Sequence, residues 1–182
     1  MKETQKLRLI KKKIIQSPEI KADIFSKIIS SGFFVGYIPV ASGTFGSLFA
    51  LLFLLIPGFY NYSVLIILII LLFPFSIITS DKMVPRYGDD PSVVIIDEIL
   101  GMWITLLINK FLFEFVNVPD IIIIGICFVL FRIFDIIKIY PANYFDKLKS
   151  GFGIIMDDVI SGIYAGLISY PIIFIIWKLN IH

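Results

Sequence analysis

The chain has 182 residues, of which 58% are apolar, and its 16 Lys or Arg nearly balance its 14 Asp or Glu. Segments such as 63–78 and 120–131 are too long and too uniformly apolar for a one-sided surface helix, so the composition indicates a single-domain membrane protein. A soluble all-helical domain is the less favoured alternative, and no nucleic-acid partner is expected.

The amino-terminal region differs from the rest of the chain in charge. Residues 1–27 contain eight Lys or Arg and three acids, a net of +5, whereas the remainder carries −3. A basic arm of this kind normally stays in the cytoplasm and lies on anionic lipid. Apolar residues recur at helical spacing through 7–30 with lysines between them, which predicts amphipathic helices in the membrane interface. We therefore divide the chain into a basic amphipathic arm, 1–31, and a membrane domain, 32–182.

The membrane domain contains five apolar segments. The first is short, and it follows a loop over 32–46 that is rich in glycine and small polar residues. The loops after the second and fourth segments carry Lys or Arg, so the positive-inside rule places both in the cytoplasm. The predicted fold is all-α, a polytopic α-helical membrane protein with about four to five transmembrane segments, over 48–56, 63–80, 93–108, 121–139 and 156–177.

The last three apolar segments carry ionisable residues. Such residues cost roughly 2.5 to 3.5 kcal/mol each on insertion scales, so within membrane helices they usually mark a functional site. The predicted topology brings three pairs to the cytoplasmic ends of these segments: Asp97 with Glu98, Arg132 with Asp135, and Asp157 with Asp158. We therefore expect three pairs that are distant in sequence to converge at one leaflet.

Five carboxylates and one guanidinium in a medium of low dielectric constant predict a bound cation. Like charges held close together would otherwise force the carboxylates to take up protons. Mg²⁺ suits such a site, since it typically binds few carboxylates together with water and a substrate phosphate. A structural salt-bridge network is the alternative, but one arginine cannot pair five carboxylates.

Helical spacing predicts close packing beside the acids. Asp97, Gly101 and Thr105 share one face of a helix, and Asp158 shares a face with Gly162. Small residues at this spacing let the backbones of two membrane helices approach closely. We expect these glycines to serve helix packing rather than substrate contact.

Several side chains could bind a phosphate group together with such a cation. Arg132 suits a bidentate grip on phosphate, although an ion pair with Asp135 would explain it equally. Lys138 could contact phosphate or extend to lipid headgroups. Thr44 and Ser47 lie in a glycine-rich turn that opens a helix, where backbone N–H groups can bind an anion, but an ordinary helix cap has the same composition.

These motifs, in this order and spacing, resemble the phosphatidylglycerophosphatase A family of Mg²⁺-dependent bacterial membrane phosphatases. The resemblance covers roughly 32–166, and Ser42, Ile139 and Ser150 stand where the family usually has Pro, Pro and Gly. It rests on the following segments: Gly-Thr-Phe-Gly-Ser at 43–47, Val-Ile-Ile-Asp-Glu at 94–98 with Gly101 and Trp103, Phe-Arg-Ile-Phe-Asp at 131–135 with Lys138 and Pro141, Asp146, and Gly-Phe-Gly-Ile at 151–154 before Asp157 and Asp158.

The resemblance implies removal of the terminal phosphate of phosphatidylglycerophosphate at the cytoplasmic face of the bacterial inner membrane. It implies a phospholipid substrate and the following residue roles: Asp97, Glu98, Asp157 and Asp158 hold Mg²⁺; Arg132, Asp135, Asp157 and Asp158 are catalytic; Thr44, Ser47, Lys138 and Asp146 bind substrate. Which carboxylate acts as base or nucleophile stays open, as does the oligomeric state.

Two other functions compete with this interpretation. A CDP-alcohol phosphotransferase is also a Mg²⁺-dependent lipid headgroup enzyme, but its Asp-Gly-x-x-Ala-Arg signature is absent from the sequence. An ion-coupled transporter would place its charges at the bilayer midplane beside broken helices, whereas these acids are expected near one surface.

Overall fold

A computed structural model describes residue 17 and residues 19–112 and 120–180. The described residues form helices and contain no strand, which confirms the predicted all-α class. Short 3-10 helices lie at Val35–Tyr37 and Phe53–Leu55. The α-helices are α1 (Ile24–Ser30), α2 (Ser42–Leu52), α3 (Tyr62–Tyr87), α4 (Ile96–Leu112), α5 (Asp120–Ile137), α6 (Ala142–Phe145) and α7 (Gly151–Asn180).

Helix α3 shows how local sequence fixes the ends of these elements. Asn61 precedes it in an extended conformation, and the side chain of Asn61 accepts a hydrogen bond from the Ser63 N–H at 2.9 Å. Such a cap satisfies one of the amides that have no partner within a helix. Gly88 ends the helix with a φ of 98°, a backbone conformation that side chains disfavour. Between these ends, residues 64–75 form a continuous apolar run, and the last turns of the helix are polar.

Helix α4 lies at the centre of the fold. It packs against α2, α3, α5 and α7, most extensively against α7, and its core side chains include the fully buried Leu100, Met102 and Leu106. A Cβ atom on Gly162 would collide with the Gly101 carbonyl, so the backbones of α4 and α7 are in direct contact. The hydroxyl of Thr105 donates across this contact to the Gly162 carbonyl at 3.1 Å. The predicted small-residue packing is confirmed.

Two helices, Tyr62–Tyr87 and Gly151–Leu179, are long and apolar enough to cross a membrane. Their outward faces are apolar as well, as shown by Ile67 and Ile70 of α3 and Ile175 of α7, each more than half exposed. A bilayer provides the apolar surroundings that such faces require. These observations favour a membrane protein over the soluble alternative.

The predicted count of four to five spans exceeds this number. All five predicted segments form helices, but three do not reach the length and composition of a complete span. Helix α4 has 17 residues with two acids in its first turn, about 26 Å in length, against a hydrocarbon core of about 30 Å. Helix α5 includes Asp120, Arg132 and Asp135, and the first segment is the short helix Ser42–Leu55. Charged residues therefore occupy part of the length of α4 and α5, whereas the first segment is uncharged but short.

Two predicted boundaries also differ. Most of the predicted amphipathic arm, residues 1–16 and 18, lies outside the described residues, and the described part contains the short helix α1. The predicted loop 81–92 begins inside α3, which continues to Tyr87. Asp81 is consequently a helix residue, fixed relative to the rest of α3.

Candidate active site

Three carboxylates from two helices meet at one end of the central helix pair. Asp97 and Glu98 lie in the first turn of α4, and Asp158 lies two turns into α7. One oxygen of each lies within 4.8 Å of the others. Their proximity follows from the direct backbone contact of α4 with α7, because a Cβ on Gly101 would lie 2.7 Å from the Asp158 carbonyl oxygen. One complete predicted pair, Asp97 with Glu98, and one member of a second, Asp158, are therefore brought together.

The donor atoms of this cluster fit a hard divalent cation. Asp97 Oδ1, Glu98 Oε2 and Asp158 Oδ2 are all buried without a hydrogen-bond partner. Burying a carboxylate oxygen without a donor is costly, so such an arrangement needs a further positive partner. Oxygen ligands of this kind are those that Mg²⁺ binds. The arrangement supports the predicted metal site for Asp97, Glu98 and Asp158.

Arg132 lies close to Glu98, since both contact Gly43, and it connects the third predicted pair to the cluster. Its Nη1 donates to Asp135 Oδ2 at 2.8 Å and to Ser47 Oγ at 3.3 Å. Its Nε is buried without a hydrogen-bond partner. Ser47 in turn donates to the Gly43 carbonyl at 2.9 Å, which anchors the arginine to α2. The guanidinium is held in place and keeps donor capacity for a further ligand.

The first turn of α2 forms the wall beside Arg132. A Cβ on Gly43 would collide with Glu98 Oε1 and lie 3.0 Å from Arg132 Nη2. Ala41 precedes the helix with a φ of 49°, and no side chain caps this end. Phe45 is the first residue whose amide donates within the helix, so the amides of residues 42–44 lie ahead of the hydrogen-bonded turn. The half-buried Thr44 belongs to this turn.

Lys138 and two of the predicted site residues form a separate ion-pair group. The Lys138 ammonium donates to Asp146 and to Asp157 Oδ2, and the other oxygen of Asp157 accepts the Asp158 N–H at 3.0 Å. Lys138 and Asp146, expected to bind substrate, therefore bind each other, and Asp157 lies beside the three-carboxylate cluster rather than within it.

Comparison with known proteins identifies the family of the chain. The family model described as Phosphatidylglycerophosphatase A matches residues 28–173 of the chain. The chain belongs to the phosphatidylglycerophosphatase A family. This confirms the family expected from the sequence motifs and makes the protein an enzyme of a phosphatase family.

Three relatives show how similar the sequence of the chain is to those of known proteins. Phosphatidylglycerophosphatase A of Haemophilus influenzae is 32% identical over 149 residues, covering 80% of this chain and 86% of the relative. Phosphatidylglycerophosphatase A of Escherichia coli is 30% identical over 145 residues, covering 79% and 80%. A Bacteroides thetaiotaomicron protein provisionally named phosphatidylinositol-3-phosphatase is 36% identical over 148 residues, covering 76% and 87%. No solved structure matches the chain.

One departure from the expected phosphatidylglycerophosphatase A pattern has a visible structural role. Ser150, at a position where glycine was expected, accepts the Gly153 N–H on its hydroxyl at 3.2 Å and so caps the start of α7. Sequence motifs did not reveal the partners of Lys138 or the contact of Asp81 with α7. Spacing within a helix predicts which residues share a face, but not which distant loop residue their side chains reach.

Proposed function

We propose that the protein hydrolyses phosphatidylglycerophosphate to phosphatidylglycerol and inorganic phosphate in a Mg²⁺-dependent reaction. The observation that carries this proposal is the cluster of Asp97, Glu98 and Asp158, whose buried oxygens lack partners, beside an arginine with an unpaired Nε. The family and the names of two relatives supply the substrate.

Different residues have different roles in the hydrolysis of a phosphate monoester. Asp97, Glu98 and Asp158 would hold Mg²⁺, which polarises phosphoryl oxygens and lowers the pKa of bound water. Arg132 binds the equatorial phosphoryl oxygens, and Asp135 and Ser47 fix its orientation. The amides that open α2, including that of Thr44, have no side-chain cap and would bind the same anion with the positive end of the helix dipole.

Lys138, Asp146 and Asp157 support this arrangement from the loop before α7. The Lys138 ammonium donates to Asp157 Oδ2 and so restrains this side chain. Asp157 can serve as a fourth metal ligand only if this ion pair rearranges. Asp146 forms a second ion pair with the Lys138 ammonium. Both residues lie at the loop where a lipid headgroup would enter.

We further propose a multi-pass arrangement in the bacterial inner membrane with the site facing the cytoplasm. The starts of α2, α4 and α7 and the end of α5 all contribute to the site, so these ends lie on one side of the bundle. The predicted basic arm, 1–31, would lie on anionic lipid at that same surface.

The decisive experiment measures phosphate release from phosphatidylglycerophosphate in detergent micelles, with and without Mg²⁺. Wild type should release phosphate only with the metal, and Asp158→Asn should lose at least about a hundredfold in kcat, since even indirect metal partners cost 10- to 100-fold. Mn²⁺ binding, followed by electron paramagnetic resonance, should weaken in parallel. Asp120→Asn changes an exposed acid at the start of α5 and is the matched control.

The provisional name of the Bacteroides relative favours a second substrate, phosphatidylinositol-3-phosphate. Both lipids present a phosphate monoester on a polyol headgroup, so the same cluster could act on either. Measuring kcat/KM for both lipids decides between them. Folded wild type that releases phosphate from neither lipid would contradict the phosphatase proposal.

A further inference from the structure

The start of α7 is attached to α3 by a side chain outside the candidate site. Asp81 Oδ1 accepts a hydrogen bond from the Gly151 N–H, the first amide of α7, across 70 residues of sequence. Ser150 caps the same turn through the Gly153 N–H. Two of the amides that would otherwise lack a partner at this helix end are therefore satisfied, one of them from another helix.

The backbones of the two helices also meet at this point. A Cβ on Gly151 would lie 2.6 Å from the Asp81 backbone nitrogen and 3.0 Å from the Asp81 Cγ, so residue 151 rests directly on α3. A carboxylate at the amino terminus of a helix interacts favourably with the helix dipole. Contact and charge together fix both the depth and the rotation of α7 at its start.

The attachment matters because Asp158 lies only seven residues further along α7. Seven residues of α-helix advance about 10 Å and make two turns. Beyond Asp158, the helix is held again where Gly162 meets Gly101. Asp158 thus lies between two fixed points, and its carboxylate must reach Asp97 and Glu98 of α4. A rotation of α7 at Gly151 would move Asp158 away from them.

Neighbouring lysines have other partners. Lys82 lies 3.5 Å from Asp23, and Lys149 lies 2.8 Å from Asp89. The Asp89–Lys149 ion pair joins the segments on either side of the Asp81 contact, but it does so between exposed side chains. It provides a natural comparison with a contact that reaches the backbone.

We propose that Asp81 is a positioning residue for the metal-binding carboxylates: its bond to the Gly151 N–H sets α7 so that Asp158 meets Asp97 and Glu98. This inference rests on the proposed function, because it assumes that the cluster binds Mg²⁺. Asp81 touches neither metal nor substrate in this role.

The test compares four variants in the full-length protein: Asp81→Ala, Asp81→Asn, Asp81→Glu and Asp89→Ala. The amide of Asp81→Asn keeps an acceptor of the same length and should retain most activity and Mn²⁺ affinity. Asp81→Ala removes the acceptor, and Asp81→Glu keeps the charge but lengthens the arm. Both should lose about 10- to 100-fold in kcat and in Mn²⁺ affinity, with little change in KM for the lipid. Asp89→Ala should behave as wild type.

A merely structural role gives a different pattern. If folded Asp81→Ala protein has wild-type kcat and Mn²⁺ affinity and differs only in Tm, the proposal is overturned. If Asp81→Ala does not fold, the comparison of Asp81→Asn with Asp81→Glu decides, and equal values overturn it. If wild type binds Mn²⁺ in an Asp81-dependent way but releases no phosphate, the inference stands and the proposed substrate fails.

Discussion

The amino termini of α2 and α7 lie near the same acidic cluster but are built in opposite ways. Helix α7 begins with amides bound by Ser150 and Asp81. Helix α2 begins after Ala41, with no side-chain cap, beside the guanidinium of Arg132. A capped end holds a helix in position, whereas an uncapped end keeps its amides available for an anion. The difference agrees with the proposed roles, in which α7 positions a metal-binding carboxylate and α2 binds phosphate.

Other helix starts support this distinction. Asp23 caps α1 through the Ser26 N–H at 2.8 Å, and Asn61 caps α3. The starts of α1, α3 and α7 thus have side-chain caps, whereas those of α2 and the four-residue α6 do not. The uncapped start of α2 coincides with the one place where Gly43 brings the backbone against both Glu98 and Arg132.

The largest expected effect comes from blocking this close approach with Gly43→Ala. The added methyl group would collide with Glu98 Oε1 and press on the guanidinium of Arg132, so both groups must shift. A misplacement of about 1 Å at a reacting centre can cost a hundredfold in rate, and we expect a loss of at least about that size in kcat. Phosphate release by purified protein measures it.

Gly125→Ala is the matched control for this substitution. Gly125 lies within α5, and a Cβ there would meet nothing within 4 Å. Alanine is the better helix former, so this variant should keep full activity and equal or greater thermal stability. Similar activity losses in the two variants would show that α2 has no special contact with the site.

The convergence of charged pairs could be predicted from sequence because it follows from topology. Asp97, Arg132 and Asp158 each lie at a segment end, and alternating segments bring such ends to the same side. Helical spacing also predicted that Gly101 and Gly162 serve close helix packing, and the structure shows that they contact each other. Hydrophobic periodicity and loop charge can be read from each segment alone. Predicting the convergence of the charged pairs therefore needed no knowledge of tertiary contacts.

The partners of individual side chains could not be predicted in this way. Lys138 was expected to meet phosphate or lipid, yet it pairs with Asp146 and Asp157. Asp81 was placed in a loop, although α3 continues past it. These contacts depend on the rotation of one helix against another, which packing of the whole bundle decides.

A smaller effect should follow from placing a negative charge at the open start of α2. Asparagine and aspartate both tolerate the left-handed conformation of Ala41, where φ is 49°. Ala41→Asp would place a negative charge at the amides proposed to bind phosphate, whereas Ala41→Asn has the same shape without the charge. Charges at helix ends contribute about 0.3–1 kcal/mol, so KM should rise about two- to fivefold in the aspartate variant alone.

Steady-state kinetics of both Ala41 variants at several salt concentrations would check this prediction. The rise in KM should shrink as salt screens the added charge, and kcat should change little. Equal KM values for the aspartate and asparagine variants would indicate that phosphate binds elsewhere.

The smallest effect concerns a capped start remote from the cluster, that of α1. The Ser26 backbone and side-chain hydrogen bonds lower the pKa of Asp23 from 3.8 to about 2. Since the folded-state pKa lies below the unfolded value, the stabilisation is complete above pH 3.8 and disappears as the pH falls through about 2. Asp23→Ala should therefore lower Tm slightly at neutral pH, with the difference from wild type vanishing toward pH 2 and kcat unchanged at neutral pH.

Asp23→Asn keeps an effective cap without a titrating group, so its Tm should match wild type at neutral pH and exceed it toward pH 2. A loss of kcat in either variant at neutral pH would mean that α1 contributes to the site, and the division between capped structural starts and the open start of α2 would no longer hold.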